Sequence, residues 1–339
     1  MAYTTINKST DHFNTVLYTG TGSAQSITGV GFRPDWVWGK NRSTTNYHDL
    51  EDVVRGATKR ISSNATDAEA TETVNFTSFD SDGFSVGTGA NVNGNGNNIV
   101  VWNWLAGGTG VANTDGSVNC TQSLNATAGF SIFKWTGTGS GEVSIGHGLG
   151  TAPKMWFVKS LSSGNWFVYT TVIDGSLDYL HLNTTAAKAD SSATTATNSV
   201  IYGVSNTNQA EDYICYAFKE VQGYSKFGSY IGNANADGTF IYTGFKPAFF
   251  LSKRSDATKD WHIIDNKRST LNPTAKLLYP NLTDAEATPT SCDFLSNGIK
   301  LRTANSFLNE TGGTYIYMAF AENPLVANVG ANGVPATAR

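Results

Sequence analysis

His48, Asp52 and Arg55 stand within eight residues of one another, and His262, Asp265 and Arg268 repeat the set near the carboxyl end. Imidazole beside carboxylate is the material of general acid–base catalysis. A nucleophilic partner is missing from the pattern, and the middle of the chain carries no third copy. The expected role is therefore structural, with these polar groups pinning a loop onto the sheet. A second constellation is the aromatic column Tyr47, Trp166 and Trp261, each seven or eight residues after a lysine. Such rings could stack on sugars, and Tyr47, His48, Arg55, Trp166, Trp261, His262 and Arg268 make up the candidate binding set. Core packing is the competing use of the same rings. Thr66-Asp-Ala-Glu69 and Thr283-Asp-Ala-Glu286 offer oxygens to calcium. The same wording caps a short helix, and the cap is the expectation, because the middle copy carries Ala187 and Lys188 instead. No Cys/His cluster occurs, so neither a metal nor a cofactor is expected.

What must position these residues is a chain that repeats itself. Pro34, Pro153 and Pro247 each open a solid apolar run that ends six residues later in Lys40, Lys159 and Lys253. Asn64-Ala-Thr-Asp-Ala-Glu-Ala-Thr71 returns as Asn281-Leu-Thr-Asp-Ala-Glu-Ala-Thr288, with a weaker cousin at Asn183. Phe79-Asp-Ser-Asp-Gly-Phe84 is echoed by Phe294-Leu-Ser-Asn-Gly-Ile299, and Asp-Gly or Asn-Gly between apolar runs signals a hairpin. Closing aromatic strands are expected at Trp104, Phe218 and Phe320. Apolar residues in direct succession predict strands buried on both faces. Placing the three prolines in register should bring the closing aromatics into register too.

Glycine numbers 35 residues and charged residues only 15% of the chain, a composition for turns and pleated surfaces rather than long helices. The expectation is an all-β fold of three tandem β-sandwich-like repeats, with pseudo-threefold closure open to it. The repeats span 1–108, 129–222 and 223–325, a linker spans 109–128, and a carboxyl-terminal arm spans 326–339. Glycine-rich turns such as Gly20-Thr-Gly22 precede no periodic helix, which argues against dinucleotide binding. A net charge of −4 without basic blocks argues against nucleic acid as a partner, and no apolar run approaches a membrane span. Cys120, Cys215 and Cys292 are odd in number and widely spaced, so no disulfide framework is expected. The amino-terminal residues carry no basic-then-apolar leader, so the Asn-x-Ser/Thr triplets are expected to be accidents of composition.

Phe32-Arg-Pro-Asp-Trp-Val-Trp38, Lys40-Asn-Arg-Ser43, Asp52-Val-Val-Arg-Gly-Ala-Thr-Lys59, the Asn64 segment and Val101-Trp-Asn-Trp104 together resemble a module of tailed bacteriophages. That module belongs to virion proteins of the tail-fibre or receptor-binding kind, common in phages of marine bacteria and cyanobacteria. The first repeat carries the resemblance best, the third in part, and the second is degenerate. The resemblance implies a non-enzymatic virion structural protein, a tail or fibre component that attaches to the host surface. Its implied partners are other virion proteins and a host-surface glycan, and a homotrimer is the expected assembly because closed symmetry protects open strand edges. Two rivals stand beside it: a capsid decoration or head-fibre protein, and a polysaccharide-degrading tail enzyme.

Overall fold

The computed structural model describes residues 3–329 and 332–335. Its framework is three large antiparallel sheets, each built on the same four strands. An opening strand (Phe13–Thr19, Phe130–Thr136, Ser225–Ile231) pairs with a closing strand (Asn98–Trp104, Asp212–Phe218, Thr314–Pro324). The closing strand pairs with the proline strand (Trp36–Asn41, Met155–Ser160, Phe245–Arg254), which pairs with a fourth strand (His48–Asp52, Trp166–Thr170, Trp261–Asp265). The registers coincide. Two residues past each proline, Trp36 faces Trp104, Met155 faces Phe218 and Phe249 faces Phe320.

The solid apolar runs divide by the two-residue period of a strand. Alternate residues of all three sheets (Trp36, Trp38, Trp102, Trp104; Phe157, Tyr216, Phe218; Phe249, Leu251, Phe320) enter one shared core. Rings from different sheets meet there: Trp36 stacks on Tyr216 at 4.4 Å, and Phe13 stacks on Phe320 at 5.1 Å. The intervening residues face outward into three separate cores, each roofed by a small sheet of its own. Each large sheet is thus half of a sandwich on one side and a wall of the common core on the other. All eight tryptophans are buried in these four cores or beside them.

The small sheets explain the Asp-Gly and Asn-Gly signals differently from expectation. Asp80 pairs with Gly83 and Leu295 with Gly298, so the turns are Ser81-Asp82 and Ser296-Asn297, and each glycine is already in the returning strand. A Cβ on Gly83 would lie 1.9 Å from the Ile27 carbonyl oxygen, and one on Gly298 would lie 2.3 Å from that of Ile241. Glycine is required there by close approach of the neighbouring strand, not by turn type.

Two expected irregular segments contain strands. Within 109–128, read as a linker, Val111–Asn113 and Cys120–Asn125 extend the second large sheet beside its opening strand. Their short alternation was hidden by the surrounding Gly, Asn and Thr. In the expected arm 326–339, Val326–Val329 pairs with Asn332–Pro335, and the rest of that segment lies outside the described residues.

Candidate functional site

The repeated motifs meet at the seams between consecutive repeats. Lys40, Lys159 and Lys253 are fully buried, and each ammonium donates to carbonyls of the turn that follows it. Burial pushes each of these lysines down to about 8. Opposite each lysine stands the first residue of the fourth strand: His48, Trp166 or Trp261. Its backbone N–H donates to the side-chain oxygen of the motif asparagine, Asn64, Asn183 or Asn281, at 2.9 Å in all three cases. Its ring N–H crosses to the neighbouring repeat. Trp166 donates to the Ser62 carbonyl at 2.8 Å, and Trp261 to that of His181 at 2.9 Å. His48 accepts from Trp38 at Nδ1, so its proton sits on Nε2 and reaches the Tyr279 carbonyl at 3.0 Å.

Two backbone bonds complete each seam. Gly164, Lys259 and Asn46 donate to the carbonyls of Thr66, Thr185 and Thr283. In return Glu69, Lys188 and Glu286 donate to those of Leu161, Ser255 and Arg42. First joins second, second joins third, and third joins first. The ring closes within one chain. No helix forms in these described residues, so the expected helix caps are absent: the Thr66 and Thr283 carbonyls and the Glu69 and Glu286 N–H groups bond across the seam instead.

Charged pairs lock two of the seams. Asp52 and Arg55 pair at 2.5 Å with both side chains buried, and Tyr216 of the second repeat donates to Asp52 at 2.7 Å. Asp265 and Arg268 pair at 2.5 Å, Trp102 of the first repeat donates to Asp265 at 3.0 Å, and Arg268 lies over the Trp102 ring. The motif glutamates finish the job: Glu69 reaches Arg55, and Glu286 bridges Arg268 and Arg42. In the second repeat the matching positions are Thr170, Ile173 and Lys188, and the closing strand of the third offers Met318. That seam is apolar, and Lys188 turns to Asp174, Asp178 and Asp190 instead.

Of the seven candidate binding residues, Tyr47 alone is exposed, at 42%. His48, Arg55, Trp166, Trp261, His262 and Arg268 sit inside, so they have no open ring face or free charge to present to a glycan. Register also corrects the column. The residue in line with Trp166 and Trp261 is His48, not Tyr47, and His262 lies one place further along, matching Asp49. Burial drives His262 down to about 3 and holds His48 well below its ordinary range, which keeps both rings neutral.

Three residues escaped the motif search. Asn93, Asn208 and Asn309 are buried beneath the glycine-rich turns that follow the opening strands. Each accepts a backbone N–H of its turn, from Thr21, Thr138 or Asn233, at 2.8–2.9 Å. Each also donates to carbonyls on the far side of the loop, Ser23, Ser140 and Asn235 among them. Their spacing, ten or eleven residues before Trp104, Phe218 and Phe320, was the available signal. Asn208→Ala is expected to cost about 2–3 kcal/mol, because several buried groups lose a partner at once. Hydrogen exchange should then speed up at 137–141 and stay slow at the seams.

The second repeat differs from the others in its roof. Where the first and third have three-stranded small sheets, its sheet has two strands among the described residues, Val143–Gly146 and Val200–Gly203, with Val118 bridged to Ile145. Beside it lie two adjoining hollows of about 390 and 320 Å³ that share Gln209. Ser140, Ser192, Ser205 and Asn208 line one, and Asn165, Asn206, Phe167 and Glu211 line the other. Ser205, between them, holds a left-handed φ of 43°, a conformation costly for a residue with a Cβ. Burial raises the Glu211 carboxyl, but hydrogen bonds from Ser160, Ser162 and Tyr213 outweigh it and keep the group ionised. The cleft therefore presents hydroxyls, amides and one anionic acceptor, with the largely buried Phe167 in its wall.

Three sheet pairs around a common core, clasped third to first, define a closed all-β repeat ring with a polar cleft on one repeat. The chain belongs to the family described as a domain of unknown function (DUF7483), which matches residues 8–324. No curated protein matches the chain, and no solved structure does.

Proposed function

We propose that the protein is a non-enzymatic structural component of a phage virion, in the tail or a fibre, whose second repeat holds a host-surface glycan. The observation that carries this reading is the pair of adjoining hollows sharing Gln209, a polar concavity of ligand size; a more open hollow of about 500 Å³ lies along residues 14–18 of the first repeat. Hydroxyl and amide linings exchange hydrogen bonds with sugar hydroxyls one for one, and the largely buried Phe167 adds an apolar wall. Glu211 is the one carboxylate among the lining residues, whereas glycoside hydrolysis takes a pair, which supports holding over cleaving. The resemblance of the first repeat to phage tail modules supports the virion setting. Several copies, as a homotrimer or an array fixed by the virion, would convert weak single sites into firm attachment.

The test is adsorption. Gln209→Ala with Asn206→Ala, both exposed, is expected to leave folding and virion assembly intact and to lower binding of virions to host cells at least tenfold. Undiminished adsorption would remove the cleft from the argument and favour the capsid-decoration reading. Release of reducing sugars from host polysaccharide by the purified protein would favour the enzyme.

A further inference from the structure

The second and fourth residues of each fourth strand face outward, into the sandwich core of that repeat. In the second repeat they are Phe167 and Tyr169, and in the third His262 and Ile264. In the first repeat they are Asp49 and Glu51, both with no exposed surface. Packing alone would have kept these positions apolar or aromatic. We propose that Asp49 and Glu51 form a proton-operated latch beneath the small sheet of the first repeat, seated when protonated and loosened when ionised, while the seams stay shut.

The geometry gives the pair little compensating charge: Arg60 on the next strand, and Lys40 on the proline strand, whose ammonium also feels Asp49. Asn91 of the short helix Ala90–Asn93 donates to Asp49 Oδ1 at 2.9 Å, and Arg60 lies 3.5 Å from the same oxygen. Asp49 Oδ2 and both oxygens of Glu51 accept no hydrogen bond from any described residue. Arg60 also serves Ser62 at 3.1 Å and Glu72 at 3.7 Å. Arg55 is committed to Asp52 in the seam. Tyr18 of the opening strand spends its hydroxyl on the Val92 carbonyl. Overhead, Phe76 of the small sheet and Val92 of the short helix press on Gly39, the strand neighbour of Asp49: a Cβ there would lie 2.9 Å from each. Two ionised carboxylates under this lid would leave three buried oxygens without a donor, so relief comes by lifting the lid.

Burial raises Asp49 to about 7 despite Arg60 and Asn91, and raises Glu51 well above its ordinary value, with Asp49 adding to the rise. Both folded values exceed the unfolded ones of about 4, so the folded state keeps protons that the unfolded chain has lost. The stabilisation is therefore complete below about pH 4 and declines as pH rises. For Asp49 the decline ends near 7, and Glu51 adds to the decline in the same direction.

Hydrogen-exchange protection, with intrinsic rates divided out, tests this at pH 6 and pH 9 on the full chain. Wild-type protection across 76–93 should fall about tenfold or more, the effect of one pK unit or more, while the seam amides of 159–166 hold. Glu51→Gln should remove most of that fall, and Asp49→Asn part of it. Should Glu51→Gln fold poorly, Glu51→Leu provides the same comparison. Infrared absorption of protonated carboxyls at pH 6, weakened in the Asp49 and Glu51 variants, should accompany these results. Constant wild-type protection, an equal fall in the Glu51 variants, a fall spread evenly over the chain, or no protonated carboxyl would each overturn the latch.

Discussion

Trp102→Ala is expected to lower the unfolding free energy by about 5 kcal/mol, the upper end for removing a buried indole, because a hydrogen bond is lost along with the ring. The ring is fully buried in the shared core, with Trp38 and Phe249 about 6.0 and 5.9 Å away. Its N–H satisfies Asp265 at the third-to-first seam, and its face receives Arg268. Truncation leaves a cavity, and it also leaves a buried carboxylate short of a donor. Urea unfolding should show the drop as a lower midpoint at unchanged slope. A loss under about 2 kcal/mol would mean that the seam and core relax more freely than close packing allows.

The second large effect is expected from Arg268→Ala, at about 3–5 kcal/mol, since the buried Asp265 is left without its cationic partner. Glu286 still holds Arg42 and Lys276, so the damage centres on Asp265. The second repeat supplies the control. Its seam to the third uses Thr170, Ile173 and Met318 at the positions of Asp265, Arg268 and Trp102. Writing that set into the other seam, as Asp265→Thr, Arg268→Ile and Trp102→Met together, should cost clearly less than Arg268→Ala alone. Buried ion pairs and apolar sets of similar shape are near equivalents, whereas half a pair is not. A triple variant weaker than the single one would show that the charged lock contributes something the apolar seam does not.

How much of this was readable beforehand varies residue by residue. Trp36-Val-Trp38 and its counterparts announced strands buried on both faces, because alternation and burial are properties of contiguous residues. Pro34, Pro153 and Pro247 fixed the register of whole sheets, since the closing aromatics follow at matching pairings. The Asn64 and Asn281 segments were visible as motifs, but their use was misread as helix capping. Their partners, His48 and Trp261, lie 16 and 20 residues away on another strand. Asn93, Asn208 and Asn309 were passed over because one asparagine in an Asn-rich chain carries no local mark.

The sequence by itself determined the strands, their two-faced burial and the threefold recurrence of lysine, asparagine and closing aromatic. Each follows from period, turn chemistry and residue type within short stretches of chain. Only the tertiary structure decided what those motifs hold. The clasp from Trp166 to Ser62 joins residues 104 apart, and the lock from Trp102 to Asp265 joins residues 163 apart. Local propensity does not encode a partner at that distance. Ring closure does, because three sheets that must each bury an inner face can do so together only around one shared core.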